Sequence, residues 1–476
     1  MPLRFVLALI ACLLIAAPAA QAALPRGFVG LYGDDAFFGS PSYRQAQLGM
    51  ESRVGVETVR QPLEWSRVER SPGVYDFSAY DPFVADAAAA GLTVLPVLVG
   101  PPDFRSSRPP SSASHAMYPP RSNAAYAEFV AAAVRRYGPE GSFWRRHPSL
   151  PFIPVRSWQV WNEPNIPNFW RSGVDARAYV ALLRAGSSAI RAVDPSAEVV
   201  AAGLPNSNLG VPFLTYLDRM YRSGARGLFD TLAIHPYSHD VPGLLALAES
   251  ARALMNRWHD RSRLWITEFG WSTGGGASAF RVSERGQANR IAEALSALVA
   301  ERRALRLRGF VFFKWRDSVP PVTAETDPWP LHTGLLEAAG QPKRGFWVFG
   351  RVVKALREGA GPGTALTGVS RRSVRLSPLG FAAVALGCSS PQTAACGGRL
   401  RLRSARTVSC GGETLAAGSA LGGTTFTIAV APALAPVRVP AVAARVIRCA
   451  GAVRVRATVS QPATAPGAVE FVLRGR

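Results

Sequence analysis

The stretch SWQVWNEPNIPNFWRSGVDARAYVALLRAGSSAIRAVDPSAEVVAAG, residues 157–203, decides the fold. It opens with a short run rich in tryptophan and valine that ends on Asn162-Glu163-Pro164. Polar loop residues follow, then an Ala/Leu/Arg-rich segment of helical character from Ala176 to Val193, and a second apolar run at 198–203. Strand, helix, strand at this spacing describes a parallel crossover unit, because parallel strands need a connection about as long as a helix.

Outward from that unit the pattern recurs. Short apolar runs at 28–32, 54–60, 92–99, 157–163, 198–203, 229–235, 263–268 and 309–315 are candidate strands. Between them lie helical stretches such as Ala79 to Ala90, Asn123 to Tyr137 and Glu284 to Arg303. Eight units over roughly 330 residues suit a (β/α)8 barrel better than an open doubly wound sheet. The open sheet would want a glycine-rich turn after its first strand, and Gly30-Leu31-Tyr32-Gly33-Asp34-Asp35 does not supply one.

The expected class is therefore α/β, a TIM barrel over 23–358. Gly359-Ala360-Gly361-Pro362-Gly363 reads as the start of a linker, 359–366. The remaining 367–476 carries short alternating runs separated by turn residues, with no convincing helix, and predicts a small antiparallel β-sandwich.

The ends of the chain add a compartment. Arg4 followed by the apolar run Phe5 to Ala17 and Ala20-Gln21-Ala22 reads as a secretory signal over 1–22. The run is short for a bilayer span, so a cleaved signal is preferred to an anchor, and no later stretch suggests an integral segment. Cys12 lies in that signal; Cys388, Cys396, Cys410 and Cys449 all lie in the tail. An even set in an exported chain predicts two disulfides, with Cys388–Cys396 and Cys410–Cys449 the favoured pairing of three. Zinc is disfavoured there, because the segment has no Cys-x-x-Cys pair and no histidine.

The formal charge of +22 raises the question of anionic partners. Arginine supplies nearly all of it, since lysine occurs only at 314, 343 and 354. The arginines are scattered, without a basic helix or an RNA-binding signature, so nucleic acid is not expected. Loose contact with anionic cell-wall polymers stays open.

Two glutamates close candidate strands: Glu163 ends strand four, and Glu268 ends strand seven in Leu264-Trp265-Ile266-Thr267-Glu268-Phe269-Gly270-Trp271. On a (β/α)8 barrel such positions project into the face where chemistry occurs. Two carboxyl groups facing each other, one protonated and one ionised, are what glycosidic bond cleavage through a covalent intermediate needs.

On these residues the sequence resembles the clan A glycoside hydrolases, especially families 5 and 39. Asn162-Glu163-Pro164 and Thr267-Glu268-Phe269-Gly270 match that clan's two motifs in order and spacing, over about residues 28–356. The resemblance implies a secreted retaining enzyme acting on a β-linked polysaccharide or oligosaccharide, with Glu163 as acid/base and Glu268 as nucleophile. It implies that Arg60 holds the nucleophile, that Tyr237 donates to it, that His235 lines the sugar site, and that Asn162 bonds the sugar 2-hydroxyl. Trp315 would floor the sugar ring, followed by a non-proline cis peptide at Trp315–Arg316.

Alternatives remain at several of these positions. His235 could be a satisfied core histidine, and Trp170, Trp271 and Trp329 could be subsite platforms or packing. His235 and His239 are spaced like helical metal ligands, but Pro236 argues against a helix, and no metal or cofactor is expected. Unlike several family 5 members, Val97-Leu98-Val99-Gly100-Pro101-Pro102 has no histidine at the end of strand three. A carbohydrate-binding barrel without chemistry and a transglycosylase using the same residues are the rival functions.

Overall fold

A computed structural model of the chain describes residues 24–112, 117–319, 328–357, 368–369, 373–387, 396–428, 433–460 and 467–475. The expected signal at 1–22 and the linker at 359–366 lie outside them.

Every expected strand of the first domain forms. They are β1 (Val29–Tyr32), β2 (Thr58–Glu64), β3 (Thr93–Val99), β4 (Ser157–Val160), β5 (Glu198–Ala201), β6 (Thr231–His235), β7 (Arg263–Ile266) and β8 (Leu307–Phe312). Each pairs in parallel with its neighbour in chain order, and β8 returns to β1 to close the sheet. The second strand starts four residues later than its sequence suggests. The preceding helix runs to Arg53, and the chain turns through Gly55 at φ 92° before pairing begins.

The helices are α1 (Pro41–Arg53), α2 (Asp81–Ala89), α3 (Asn123–Tyr137), α4 (Ala176–Val193), α5 (Phe213–Arg222), α6 (Val241–Arg257), α7 (Glu284–Glu301) and α8 (Arg344–Arg357). Five have side-chain caps: Ser40, Ser122, Asp175, Asp240 and Ser283 each accept from a first-turn amide. Their apolar stripes form one continuous core with the outer faces of the strands. Inside the barrel, Leu95, Val200, Ala233 and Trp265 make a separate buried layer. Below it Glu198 holds Arg263 at 2.8 Å and Arg308 at 3.2 Å, a structural ion cluster at the N-terminal end of the strands.

Among the described residues, the tail forms a three-stranded and a five-stranded sheet around one core, with a two-stranded hairpin, Val408–Cys410 and Glu413–Leu415, beside them. Among its strands are β9 (Phe381–Gly387), β10 (Cys396–Ser404), β11 (Ala420–Ile428), β12 (Ala433–Arg438), β13 (Ala452–Ser460) and β14 (Gly467–Arg474). The pairings are antiparallel except that Ser373–Arg375 runs parallel to β14. The tail also contains a helix the sequence did not suggest, α9 (Ala441–Ala450). Its turn-spaced Ala443, Ala444, Val446 and Ile447 are buried, and Cys449 in its last turn bonds Cys410 as expected. The expected Cys388–Cys396 bond lies outside the residues whose side chains are described. Strands β11 and β12 pack on α7, and Arg438 reaches Glu249 of α6 at 2.6 Å. Among the described residues, no helix is long and apolar enough to cross a membrane.

Candidate active site

Between β4 and α4 the chain bends so sharply that Trp161 and Glu163 both take positive φ, 72° and 44°. Such backbone costs about 1–3 kcal/mol per residue and persists only where the surroundings enforce it. Here the Trp161 amide donates to the Leu98 carbonyl and its indole to the Phe169 carbonyl, while the Glu163 amide donates to Gly203. The bend aims Glu163 over the C-terminal mouth of the barrel. Glu268, two residues past the end of β7, faces it across a cavity of about 540 Å³.

Arg60 organises the Glu268 side of the cavity. It is fully buried on β2, and each nitrogen of its guanidinium has an acceptor. Nη1 donates to Glu268 at 2.6 Å, Nη2 to Asn162 Oδ1 at 2.7 Å, and Nε to Gln159 at 3.0 Å. Such charge-assisted bonds are short and directional. Tyr237 donates to the other Glu268 oxygen at 2.9 Å. Burial raises the Tyr237 phenol well above its usual range, so it stays a donor at any working pH. With its oxygen engaged by Arg60, Asn162 has its amide NH2 left for a ligand.

Glu163 has a different environment. Among the described residues its side-chain partner is His235, whose Nδ1 lies 2.6 Å from Oε1. Burial pushes the Glu163 carboxyl up to about 7, partly opposed by the Arg60 charge. Burial likewise pushes His235 down to about 3, so the ring is neutral, and its other nitrogen meets Thr267 Oγ1 at 3.0 Å. A neutral imidazole backed by a hydroxyl can accept from a protonated Glu163 or donate to its carboxylate by exchanging tautomers.

Two expected positions change. His235 does not line the cavity; it stands behind Glu163, fully buried, because the strand turns its ring under the bend. Trp315 is also absent from the wall. Its indole donates to Gln47 at 2.9 Å and its ring packs on Phe346. β8 ends at Phe312, so strand alternation does not extend to the next residues, and Phe313 takes the cavity position. The cis peptide is Phe313–Lys314, not Trp315–Arg316. Of the three candidate platforms, Trp170 and Trp271 are buried packing, whereas Trp329 lines the cavity beside Tyr237 and Phe280. Phe280 and Phe313 had no sequence signal beyond being aromatic.

Ligand atoms of Glu163, His235 and Glu268 lie within 4.8 Å of one another, close enough to suggest a metal trio. The Arg60 guanidinium, 2.6 Å from Glu268, already holds that carboxylate and would repel a cation. The set is better suited to proton transfer and nucleophilic attack than to metal binding.

Two predictions arise here. If Glu163 acts as a general acid it must be protonated, so kcat/KM should fall as pH rises through about 7. A pH–rate profile checks this, and Glu163→Gln should remove that limb. Gly203 permits the His235 ring, since a Cβ there would sit 2.0 Å from Nε2. Gly203→Ala should displace the ring and Glu163 with it. Such misplacement costs on the order of 10²-fold in kcat, measurable with folding confirmed by circular dichroism.

No family model matches the sequence, and no curated protein matches it. Among solved structures, the chain is similar to a family 39 glycoside hydrolase from the gut symbiont Bacteroides cellulosilyticus WH2, at 17% identity over 84% of this chain and 80% of that one, TM-score 0.51. It is similar to a family 39 β-xylosidase from Caulobacter crescentus, at 20% identity over 81% and 83%, TM-score 0.51. It is also similar to the family 39 enzyme from Xanthomonas axonopodis pv. citri, at 15% identity over 88% and 93%, TM-score 0.53. At these identities the likeness is one of fold, a closed eight-stranded parallel barrel with an added sheet-rich region.

Proposed function

We propose that this protein is an exported retaining glycoside hydrolase that cleaves β-linked O-glycosyl bonds. The observation that carries the reading is the pair Glu163 and Glu268, with oxygens within 4.8 Å and unlike surroundings. Retaining enzymes hold their carboxyls about 5–5.5 Å apart, whereas inverting ones leave about 6.5–9.5 Å for a water.

In the first step the Glu163 proton passes to the glycosidic oxygen, the C1–O bond breaks, and a Glu268 oxygen bonds C1. In the second, the Glu163 carboxylate takes a proton from water, whose oxygen bonds C1 as the Glu268 ester breaks. Arg60 and Tyr237 orient Glu268 for attack and receive it back as a carboxylate. Asn162 is placed to bond the neighbouring hydroxyl, and Phe313 and Trp329 offer ring faces to the sugar.

The test is a panel of 4-nitrophenyl β-glycosides followed by proton NMR. The first-formed sugar should be the β anomer; α first would mean inversion, and no release from any member would count against hydrolysis. The 1–22 signal belongs to the same proposal, and secreted protein should begin at or near Ala23.

A further inference from the structure

We propose that the acid side of the cavity is a subsite for an apolar leaving group, an aryl or alkyl aglycone, and not for a second sugar. This rests on the glycosidase reading above. The glycosidic oxygen takes its proton from Glu163, so whatever departs with that oxygen lies against the wall that carries Glu163.

That wall comes from β3 and from the loops after β3, β4 and β5. It presents Val97, Val99, Met117, Ile166, Phe169 and Leu209. The wall is tied to the acid. The Ile166 amide donates to the Glu163 carbonyl at 3.2 Å, and Met117 bonds Asn168 and Arg171 through its own amide and carbonyl. The Val211 amide donates to the Asn165 carbonyl at 2.9 Å, and Gly210 approaches that carbonyl so closely that a Cβ would sit 2.1 Å away. The opposite wall, where Tyr237 donates to Glu268, is aromatic: Tyr237, Phe280 and Trp329 have ring centroids 4.7–6.1 Å apart. The cavity is thus divided into an aromatic half beside the nucleophile and a largely aliphatic half beside the acid.

A sugar in the aliphatic half would lose hydrogen bonds to water and meet mostly apolar side chains in exchange. Among the described residues, the polar side chains of that wall are few: Glu64, which stands beside Val99 and accepts from Arg67 at 2.5 Å, Asn168 and Asn206, which are exposed at the rim, and Ser207, whose Oγ accepts from the Leu209 amide at 3.1 Å. Leu209 itself leaves 67% of its surface in water at the cavity mouth, where an apolar ligand would cover it.

The experiment uses the full chain and the sugar released fastest from the nitrophenyl panel. Methyl, butyl and hexyl β-glycosides of that sugar have leaving groups of similar acidity and differ in apolar length. Each buried methylene should raise kcat/KM by about fourfold until the wall is filled, so hexyl should exceed methyl by tenfold or more. The hexyl glycoside should also exceed the β-linked disaccharide of the same sugar. Leu209→Ser and Phe169→Ser should lower the hexyl-to-methyl ratio. A flat or falling alkyl series, or preference for the disaccharide, would overturn this inference while leaving hydrolysis intact. Failure of every panel member would overturn both.

Discussion

Glu268→Gln is expected to lower kcat on every aryl glycoside by about 10⁴-fold or more, whatever the leaving group. The substitution removes the ionised carboxylate proposed to bond C1, and a better leaving group cannot replace a missing nucleophile. Glutamine is preferred to alanine as a first variant because Arg60 is buried against this side chain. Deleting one partner of a buried ion pair typically costs about 3–5 kcal/mol of stability. A thermal melt alongside the kinetics separates that loss from lost chemistry. A Glu268→Gln protein that melts normally and retains more than about a hundredth of wild-type kcat would argue for another nucleophile.

Glu163→Ala should behave differently because its role depends on the leaving group. With a poor leaving group, loss of the proton donor should cost about 10²–10⁴-fold in rate. With a 2,4-dinitrophenyl glycoside little protonation is needed, so Glu268 should still be glycosylated at close to its normal rate. The second step, which needs Glu163 as base, then becomes limiting. A burst of dinitrophenolate equal to the enzyme concentration should be followed by slow turnover. Uniform loss on both substrates, with no burst, would mean that Glu163 does not act as the acid.

Much of this site is legible in the sequence, and the residues that are not share a cause. Glu163 and Glu268 stand just past strand ends, where the barrel rule places chemistry, although the bend at Trp161 and Glu163, not strand alternation, aims the first of them. Arg60 and Tyr237 were implied by the resemblance to clan A glycoside hydrolases, and both reach Glu268 in the structure. Trp315 shows where that reasoning stops. The run Phe310-Val311-Phe312-Phe313-Lys314-Trp315 offers several aromatics, and once the strand ends at Phe312 its periodicity no longer selects among them. Phe280 lies in a loop without periodicity, brought to the site by contact with Trp329 and Tyr237. Gly203 is an ordinary glycine until His235 is found beside it. The helix α9 was missed for a different reason: its β-branched Val442, Val446 and Ile447 read as strand, although its four alanines favour a helix and its buried Ala443, Ala444, Val446 and Ile447 recur at helical spacing.

The division of labour between the two glutamates is tested most directly by azide. This small anion needs no general base and leaves a stereochemical record of its path. In Glu163→Ala it should intercept the Glu268-linked intermediate from the face the leaving group vacated, giving the β-glycosyl azide. In Glu268→Ala it should occupy the missing nucleophile's place and attack the substrate directly, giving the α-glycosyl azide. Proton NMR of the two products distinguishes the anomers by the coupling at C1. Opposite anomers from the two variants are the predicted result; the same anomer from both, or wild-type rates in either, would contradict the assignment.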